Sequence, residues 1–382
     1  MSALGRRPLP LTGYGSNARG LQNRADALYL LKKGAQGMQV IREMKEYGHE
    51  QIVFARDEKV GLSAIIAVHS TILGPALGGT RFWDYAGEED ALFDVLRLSR
   101  GMTLKNAGAG LKLGGGKAVI IGDPKRLKSD AFFHVYAGFI NSLNGKYYTA
   151  EDVNISDADI AVMRRTTPFV SGTPDVSGNP SPFTARGVYR GMKAGASVLF
   201  GSDSLSGRTI VVQGVGSVGY ALCAYLKAEG AKLKVYDINP RALEKAAAEF
   251  SADILAADAV LTTPCDIFAP CAMGAVLNRQ NIDSLRCFMI AGAANNVLRD
   301  AATGDALSDK GVLYLPDYIV NAGGVINCGM EVAEGRYDVN EVNAKVDAIY
   351  ETTLKIIRLS KERHVSTYQA AEEYAMSVLN AR

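Results

Sequence analysis

Two lysines set among glycines carry the first chemical signal in this chain. Lys105 lies in Gly101-Met102-Thr103-Leu104-Lys105-Asn106, and Lys117 directly follows Gly114-Gly115-Gly116. Glycine-rich backbone lets a guest approach closely, and two cations suit a small anionic substrate. The block is not a phosphate loop. Leu111 stands where that motif needs its first glycine, and Ala118 where it needs Ser or Thr. If Lys105 and Lys117 share a pocket, their repulsion lowers one of them, and a lysine brought toward neutrality can serve as a general base. Asp152, after Tyr147-Tyr148-Thr149, could relay protons to such a pair. Read alone, it caps a helix over 156–163.

A second signal is Gly214-Val215-Gly216-Ser217-Val218-Gly219, a complete G-x-G-x-x-G between a strand pattern and a helix pattern. Its first glycine makes the turn, its second admits a pyrophosphate, and its third lets helix and strand pack. The helix N-terminus turns free N–H groups toward the phosphates. Asp237 ends the next strand, where an acid accepts bonds from the ribose hydroxyls and repels a 2′-phosphate. NAD is therefore expected over NADP, with nearby Arg241 leaving the second open.

These residues need a scaffold, and the chain supplies one. It has 382 residues, 48% hydrophobic and 21% charged, with 42 Lys plus Arg against 40 Asp plus Glu and a net charge of +2. That balance belongs to a globular protein of two or three domains, not to a dedicated nucleic-acid binder. No uncharged apolar run reaches the ~18 residues a membrane span needs. Residues 1–35 are rich in arginine and poor in acids, and read as an extension. Strands are expected at 51–55, 62–69 and 117–121, and helices at 38–47, 88–101 and 130–143. A Ser/Gly/Pro/Thr-rich stretch over 166–182 marks a domain boundary, and a helix opens at Thr184. From Arg208 onward strands and helices alternate, which argues for a parallel sheet covered on both faces. The tail over 339–379 reads as two helices. The five cysteines, Cys223, Cys265, Cys271, Cys287 and Cys328, read as reduced cytoplasmic thiols, and no metal site is expected.

Taken together, GPALGGTR, RGMTLKNA, GLKLGGGKAVIIGDP, TAEDVN, GNPSPFTARGVYRGMKA, VQGVGSVG, CDIFAPCA, AGAANN and PDYIVNAGGVIN resemble the glutamate, leucine, phenylalanine and valine dehydrogenase superfamily. The likeness covers all but the N-terminal extension. It implies an α/β protein of two domains around a cleft. A substrate and oligomerisation domain over 36–175 would receive the last helix, 365–382, and a Rossmann-type domain over 176–364 would bind the dinucleotide. It also implies roles. Lys105 would hold the substrate α-carboxylate, Lys117 would activate the attacking water, and Asp152 would exchange protons with the substrate nitrogen. Gly78 and Gly79 would line the pocket, Thr184 would meet the nicotinamide amide, and Asn295 and Asn296 would share the nicotinamide ribose and the carboxylate. The implied reaction is reversible oxidative deamination of an L-amino acid by a homo-oligomer, a dimer or octamer, acting on a small molecule in the cytoplasm.

The side-chain pocket follows from the same resemblance. Glutamate members carry lysine at Leu77 and serine at Cys328, so a charged side chain is not expected here, because a dry pocket rejects an unpaired charge. Ala150 and Val325 match leucine members, whereas phenylalanine members more often carry Gly and Leu. Cys328 departs from a usual Val and Asn154 from a usual Gly. A branched aliphatic substrate, leucine first, is expected. An aromatic amino acid and a non-catalytic NAD-binding sensor are the alternatives, and intact Lys105, Lys117 and Asp152 speak against the sensor.

Overall fold

The computed structural model describes residues 39–173, 175–272, 274 and 276–381, and the extension read over 1–35 lies outside them. After the helix α1 (Val40–Tyr47), six strands form the first sheet: β1 (Gln51–Asp57), β2 (Leu62–Ser70), β3 (Ala76–Leu77), β4 (Thr80–Trp83), β5 (Gly114–Ile121) and β6 (Tyr147–Tyr148). Their order is β1-β2-β5-β3-β6, with β4 continuing alongside β5. The pairs β1/β2 and β2/β5 are antiparallel, while β3 and β4 run parallel to β5.

Alternation along the strands decides which side chains meet. Ile66 and Val68 of β2 and Ala118 and Ile120 of β5 pack with Phe132, Phe133, Tyr136 and Ile140. Those four belong to α4 (Asp130–Ser142), which follows α2 (Glu88–Gly108) and the short α3 (Pro124–Leu127). Ile65, Ala67 and Val119 face the other way, onto Leu92, Val95 and Leu96 of α2. Lys117 shares the parity of Val119, and Arg81 pairs with Val119 in the β4/β5 register, so both belong to the α2 side.

The helix α2 is longer than its amphipathic pattern suggests. It runs through Gly101 and the whole lysine segment to Gly108. Burial of Thr103, Leu104, Asn106 and Ala107 outweighs the ~1 kcal/mol cost of an internal glycine. Lys105 therefore stands on rigid helix, not on flexible backbone. The triple glycine also differs from its sequence reading. Gly114, Gly115 and Gly116 are buried in β5, and the protein itself makes the close approach. A Cβ on Gly115 would lie 2.1 Å from the Thr103 nitrogen, and one on Gly114 would lie 1.9 Å from the Ser70 oxygen. These glycines seat α2 and β2 against β5. Nor is Asp152 a helix cap. Ser156, with Asp159 in a capping box, starts α5 (Asp157–Arg164).

The second sheet follows α6 (Ser181–Phe200). Its strands β7 (Thr209–Gln213), β8 (Lys232–Tyr236), β9 (Asp253–Ile254), β10 (Ile267–Pro270), β11 (Met289–Ile290) and β12 (Leu313–Tyr314) are all parallel, in the order β12-β11-β10-β7-β8-β9. The chain steps outward from β7 to β9, then crosses back to β10. The order thus reverses between β7 and β10, where a crevice opens at the strand C-termini. The helices are α7 (Ser217–Ala228), α8 (Pro240–Phe250), α9 (Ala301–Asp309), α10 (Asp317–Val320), α11 (Gly323–Ala333), α12 (Val339–Asp347), α13 (Ile349–Arg363) and α14 (Thr367–Asn380). The tail thus holds three helices where the periodicity suggested two. Ala375 and Leu379 of α14 pack with Leu73, Leu104 and Ala107, and Arg100 of α2 pairs with Glu372. The last helix therefore braces the one that carries Lys105.

Candidate active site

A cavity of about 420 Å³ lies between the two sheets, and both contribute to its wall. Gly78, Gly79 and Arg81 reach it from the β3–β4 segment, Lys105 from the last turn of α2, Lys117 from β5, and Ala150 and Asp152 from the chain after β6. From the opposite side come Thr184 of α6, Val218 of α7, Asn295 and Asn296 of the β11–α9 loop, and Val325 and Cys328 of α11.

Lys117 and Asp152 form the centre of this wall. The Lys117 Nζ stands 2.5 Å from the Asp152 Oδ2, and Lys117 as a residue is only 7% exposed. Burial alone would push the Asp152 carboxyl up, but Lys117 and Arg81 together outweigh it and hold the group at about 2. With Lys117 and Arg81 both charged, Asp152 is therefore an anion. Lys105 donates to the Asn295 Oδ1 at 3.4 Å, and that oxygen also accepts from the Asn321 Nδ2 at 2.9 Å. Of the two neighbouring asparagines, Asn295 is thus the one that reaches Lys105, while Asn296 holds a left-handed backbone at φ 52°. Burial lowers Lys105 to about 8; Asp317 counters this, and Lys117 pushes further down. A lowered lysine was foreseen from charge repulsion. The structure gives the larger part to burial and places the lowering on Lys105.

The opposite end of the cavity is apolar. Leu77 is 1% exposed and belongs to a cluster with Leu111, Leu113, Ile326 and Met330, against which Val325 packs. Cys328 lies beside Gly172, whose added Cβ would fall 3.2 Å from its Sγ. Burial pushes the Cys328 thiol up to about 12, so it stays neutral. Leu77, Ala150, Val325 and Cys328 all border the same space.

The glycine motif stands where β7 ends and α7 begins. Gly214 has φ 97°, and a Cβ there would meet Ala272 at 2.7 Å. A Cβ on Gly219 would fall 2.0 Å from the Gly214 oxygen, whereas one on Gly216 would meet nothing within 4 Å. The first and third glycines are therefore forced by the fold. The second faces open space at the start of α7, beside Ser217, as a pyrophosphate cradle requires. Asp237 follows β8 and accepts from the Val215 nitrogen at 2.8 Å and the Asn239 nitrogen at 2.8 Å. It ties the glycine turn to the end of β8. Val218 borders the main cavity, so the cradle and the lysine pair are continuous. These residues fit a dinucleotide.

Arg81, Asp317 and Asn321 are among the polar side chains in the wall that were not singled out from sequence. Arg81 pairs with Asp94 at 2.9 Å and approaches Asp152 at 3.5 Å. Asp317 accepts from the Val297 nitrogen at 2.8 Å and fixes the loop carrying Asn295. Asn321 adds the bond to Asn295 already described. Arg81 stood in the quoted GPALGGTR segment, and Asp317 and Asn321 in PDYIVNAGGVIN, but only the folded chain shows what they face. Among the described residues, no group of three or more His, Cys, Asp and Glu is arranged to hold a metal ion, and no helix is long and apolar enough to cross a membrane.

A parallel sheet with a glycine cradle at its switch point, closed against a second domain bearing a lysine–carboxylate pair, defines a two-domain dehydrogenase. Residues 49–169 match the Glu/Leu/Phe/Val dehydrogenase dimerisation domain and residues 232–381 match the Glutamate/Leucine/Phenylalanine/Valine dehydrogenase domain, so the chain belongs to this family of amino-acid oxidoreductases. It is 49% identical over 354 residues to leucine dehydrogenase of Bacillus cereus, covering 90% of this chain and 96% of that protein. It is 50% identical over 343 residues to leucine dehydrogenase of Geobacillus stearothermophilus, covering 88% and 92%. The crystal structure of L-tryptophan dehydrogenase from Nostoc punctiforme superposes with a TM-score of 0.80 at 40% identity, covering 90% of this chain and 99% of that one.

Proposed function

We propose that the chain catalyses reversible, NAD-linked oxidative deamination of a branched-chain aliphatic L-amino acid, leucine foremost, to the 2-oxo acid and ammonia. The observation that carries this reading is the layout of one cavity: a cation for a carboxylate at Lys105, the Lys117–Asp152 pair at its centre, and an apolar wall beyond. The leucine dehydrogenases at 49–50% identity support the aliphatic substrate.

The roles divide by position. Lys105 holds the substrate α-carboxylate, and its contact with Asn295 keeps the ammonium aimed at the cleft. Gly78 and Gly79 line the cavity beside that carboxylate and pack against the Gly116 and Glu151 oxygens, where a Cβ would fall at 1.8 and 2.2 Å, with Asn296 across the cleft. A bound nicotinamide would supply the acceptor for the α-hydride, and Thr184, which lines the cavity, would hold its amide. Asp152 takes a proton from the substrate nitrogen and returns it to departing ammonia. Lys117 removes a proton from the water that attacks the imino carbon and, having passed it to solvent, takes the second from the carbinol hydroxyl as the C=O forms and the C–N bond breaks. The closed cleft keeps other water out. The matched dimerisation domain supports a homo-oligomer, and five free thiols suit the cytoplasm.

Asp237 decides the cofactor. Asp237→Ala removes a ribose hydroxyl acceptor and a charge that repels a 2′-phosphate. The ratio of kcat/KM for NAD over NADP is expected to fall by roughly tenfold or more, ~1.4 kcal/mol. A wild type that already prefers NADP contradicts the assignment.

The apolar wall decides the substrate. Ala150→Gly, alone or with Val325→Ala, deepens the cavity and relieves the overpacking that a ring would suffer there, worth ~1–3 kcal/mol. The Phe-to-Leu ratio of kcat/KM is expected to rise roughly tenfold. Leu77→Lys is expected to gain activity on acidic side chains at the expense of aliphatic ones. Parallel kinetics on Leu, Phe and Glu check both, and an unmoved Phe-to-Leu ratio contradicts the placement of Ala150.

A further inference from the structure

We propose that Arg81 is a positioning residue that keeps Asp152 ionised and oriented through the proton transfers, an inference that rests on the proton-exchanging role of Asp152. The geometry begins with the sheet. Arg81 pairs with Val119 in the β4/β5 register, which sends its side chain to the face where Lys117 emerges two residues earlier on β5. There its guanidinium spans two carboxylates, with NH1 at 2.9 Å from the Asp94 Oδ2 and Nε at 3.5 Å from the Asp152 Oδ2.

Asp94 is the anchor. It also pairs with Arg97 at 2.9 Å and accepts from the Tyr85 hydroxyl at 2.7 Å. Held at that end, the guanidinium has little freedom, and its side chain is only 15% exposed. Its other end leaves a vacancy in the bonding. Arg81 Nε is buried without a hydrogen-bond partner among the described residues, while the Asp152 Oδ2 is paired on its other side with the Lys117 Nζ at 2.5 Å. The Asp152 oxygen thus lies near two cations yet keeps a lone pair for a substrate N–H.

Two cations on one oxygen divide the work. Lys117 must lose its proton to take one from water, and at that moment its charge no longer supports Asp152. A buried carboxylate with no cation beside it takes up a proton. Arginine does not titrate in proteins, so Arg81 remains charged at every stage. The other titratable groups that act on Asp152 are Lys105 from α2, Tyr147 from β6 and Tyr85 from the loop after β4. Neither tyrosine is a cation, and Lys105 is committed to the carboxylate.

The test is the pH dependence of kcat and kcat/KM for leucine oxidation in the wild type, Arg81→Gln, Arg81→Lys and Asp94→Asn, with NADH binding measured in each. In the part of the cycle where Lys117 is neutral, Arg81 is the cation left beside Asp152, so its loss raises the value at which Asp152 takes up a proton in the enzyme–substrate complex that kcat reports. Arg81→Gln is expected to move the acid limb of kcat up by about one pH unit and to lower kcat about tenfold at neutral pH, with partial recovery as pH rises. KM for leucine and NADH binding stay within about twofold of wild type. Arg81→Lys restores the acid limb, and Asp94→Asn moves it in the direction of Arg81→Gln by a smaller amount. A uniform loss of activity with an unmoved acid limb in Arg81→Gln overturns the role. Should Arg81→Gln not fold, Asp94→Asn decides by the same criterion. A wild type that oxidises no amino acid defeats the functional reading instead, and so separates the two failures.

Discussion

Lys117→Ala is expected to lose turnover by about 10²–10⁴-fold, the range a positioned general base contributes, while NADH binds within about twofold of wild type. The side chain lies at the centre of the cleft, 2.5 Å from Asp152, and the glycine cradle that holds the dinucleotide is built from β7, α7 and β8 of the other sheet. Chemistry and cofactor binding therefore separate in this one variant. Single-turnover kinetics and NADH titration by fluorescence check it together. A variant that keeps a tenth or more of the wild-type kcat contradicts the assignment of Lys117.

Lys105→Ala acts on a different quantity. It removes the cation for the substrate carboxylate, and hydrogen bonds to charged groups are worth ~1.5–3 kcal/mol. A loss of roughly 10- to 150-fold in kcat/KM is expected, most of it as a raised KM. The wild type should show the same dependence through pH. Only the ammonium binds a carboxylate, and burial brings Lys105 down to about 8. KM is therefore expected to be lowest below that value and to climb as pH rises through it. In Lys105→Ala this rise disappears. An unchanged KM in the variant, or a wild-type KM flat across that range, contradicts the role.

Legibility from sequence followed the range of the interactions. The cradle at Gly214, Gly216 and Gly219 was legible because strand, turn and helix are consecutive, and one local rule governs all three positions. The parallel sheet was legible for the same reason, since each strand and helix announces itself within about ten residues. Lys105, Lys117 and Asp152 were legible as types and by resemblance, but not their mutual distances, which depend on how α2 crosses β5. That crossing was misread. Gly114, Gly115 and Gly116 looked like room for a substrate, yet Thr103 and Ser70 fill it. The same packing extends α2 past Gly101. Arg81 was illegible because its function depends on the β4/β5 register, a parity that nothing in the run Thr80–Trp83 declares. Asp317 and Asn321 act through the loop 295–297, 20 and 26 residues away in the chain at their bonds to Val297 and Asn295. The break between α12 and α13 at Ala348 carries no glycine or proline to mark it.

Initial rates of NADH formation on a panel of L-amino acids test whether this one cleft oxidises a branched aliphatic amino acid with NAD. The highest kcat/KM is expected on Leu, with Ile and Val following, Phe and Trp well below, and almost none on Glu. A wild type that prefers Phe or Trp contradicts the aliphatic wall of Leu77, Ala150, Val325 and Cys328. One that forms no NADH with any amino acid contradicts the reading of Lys105, Lys117 and Asp152 as a working site.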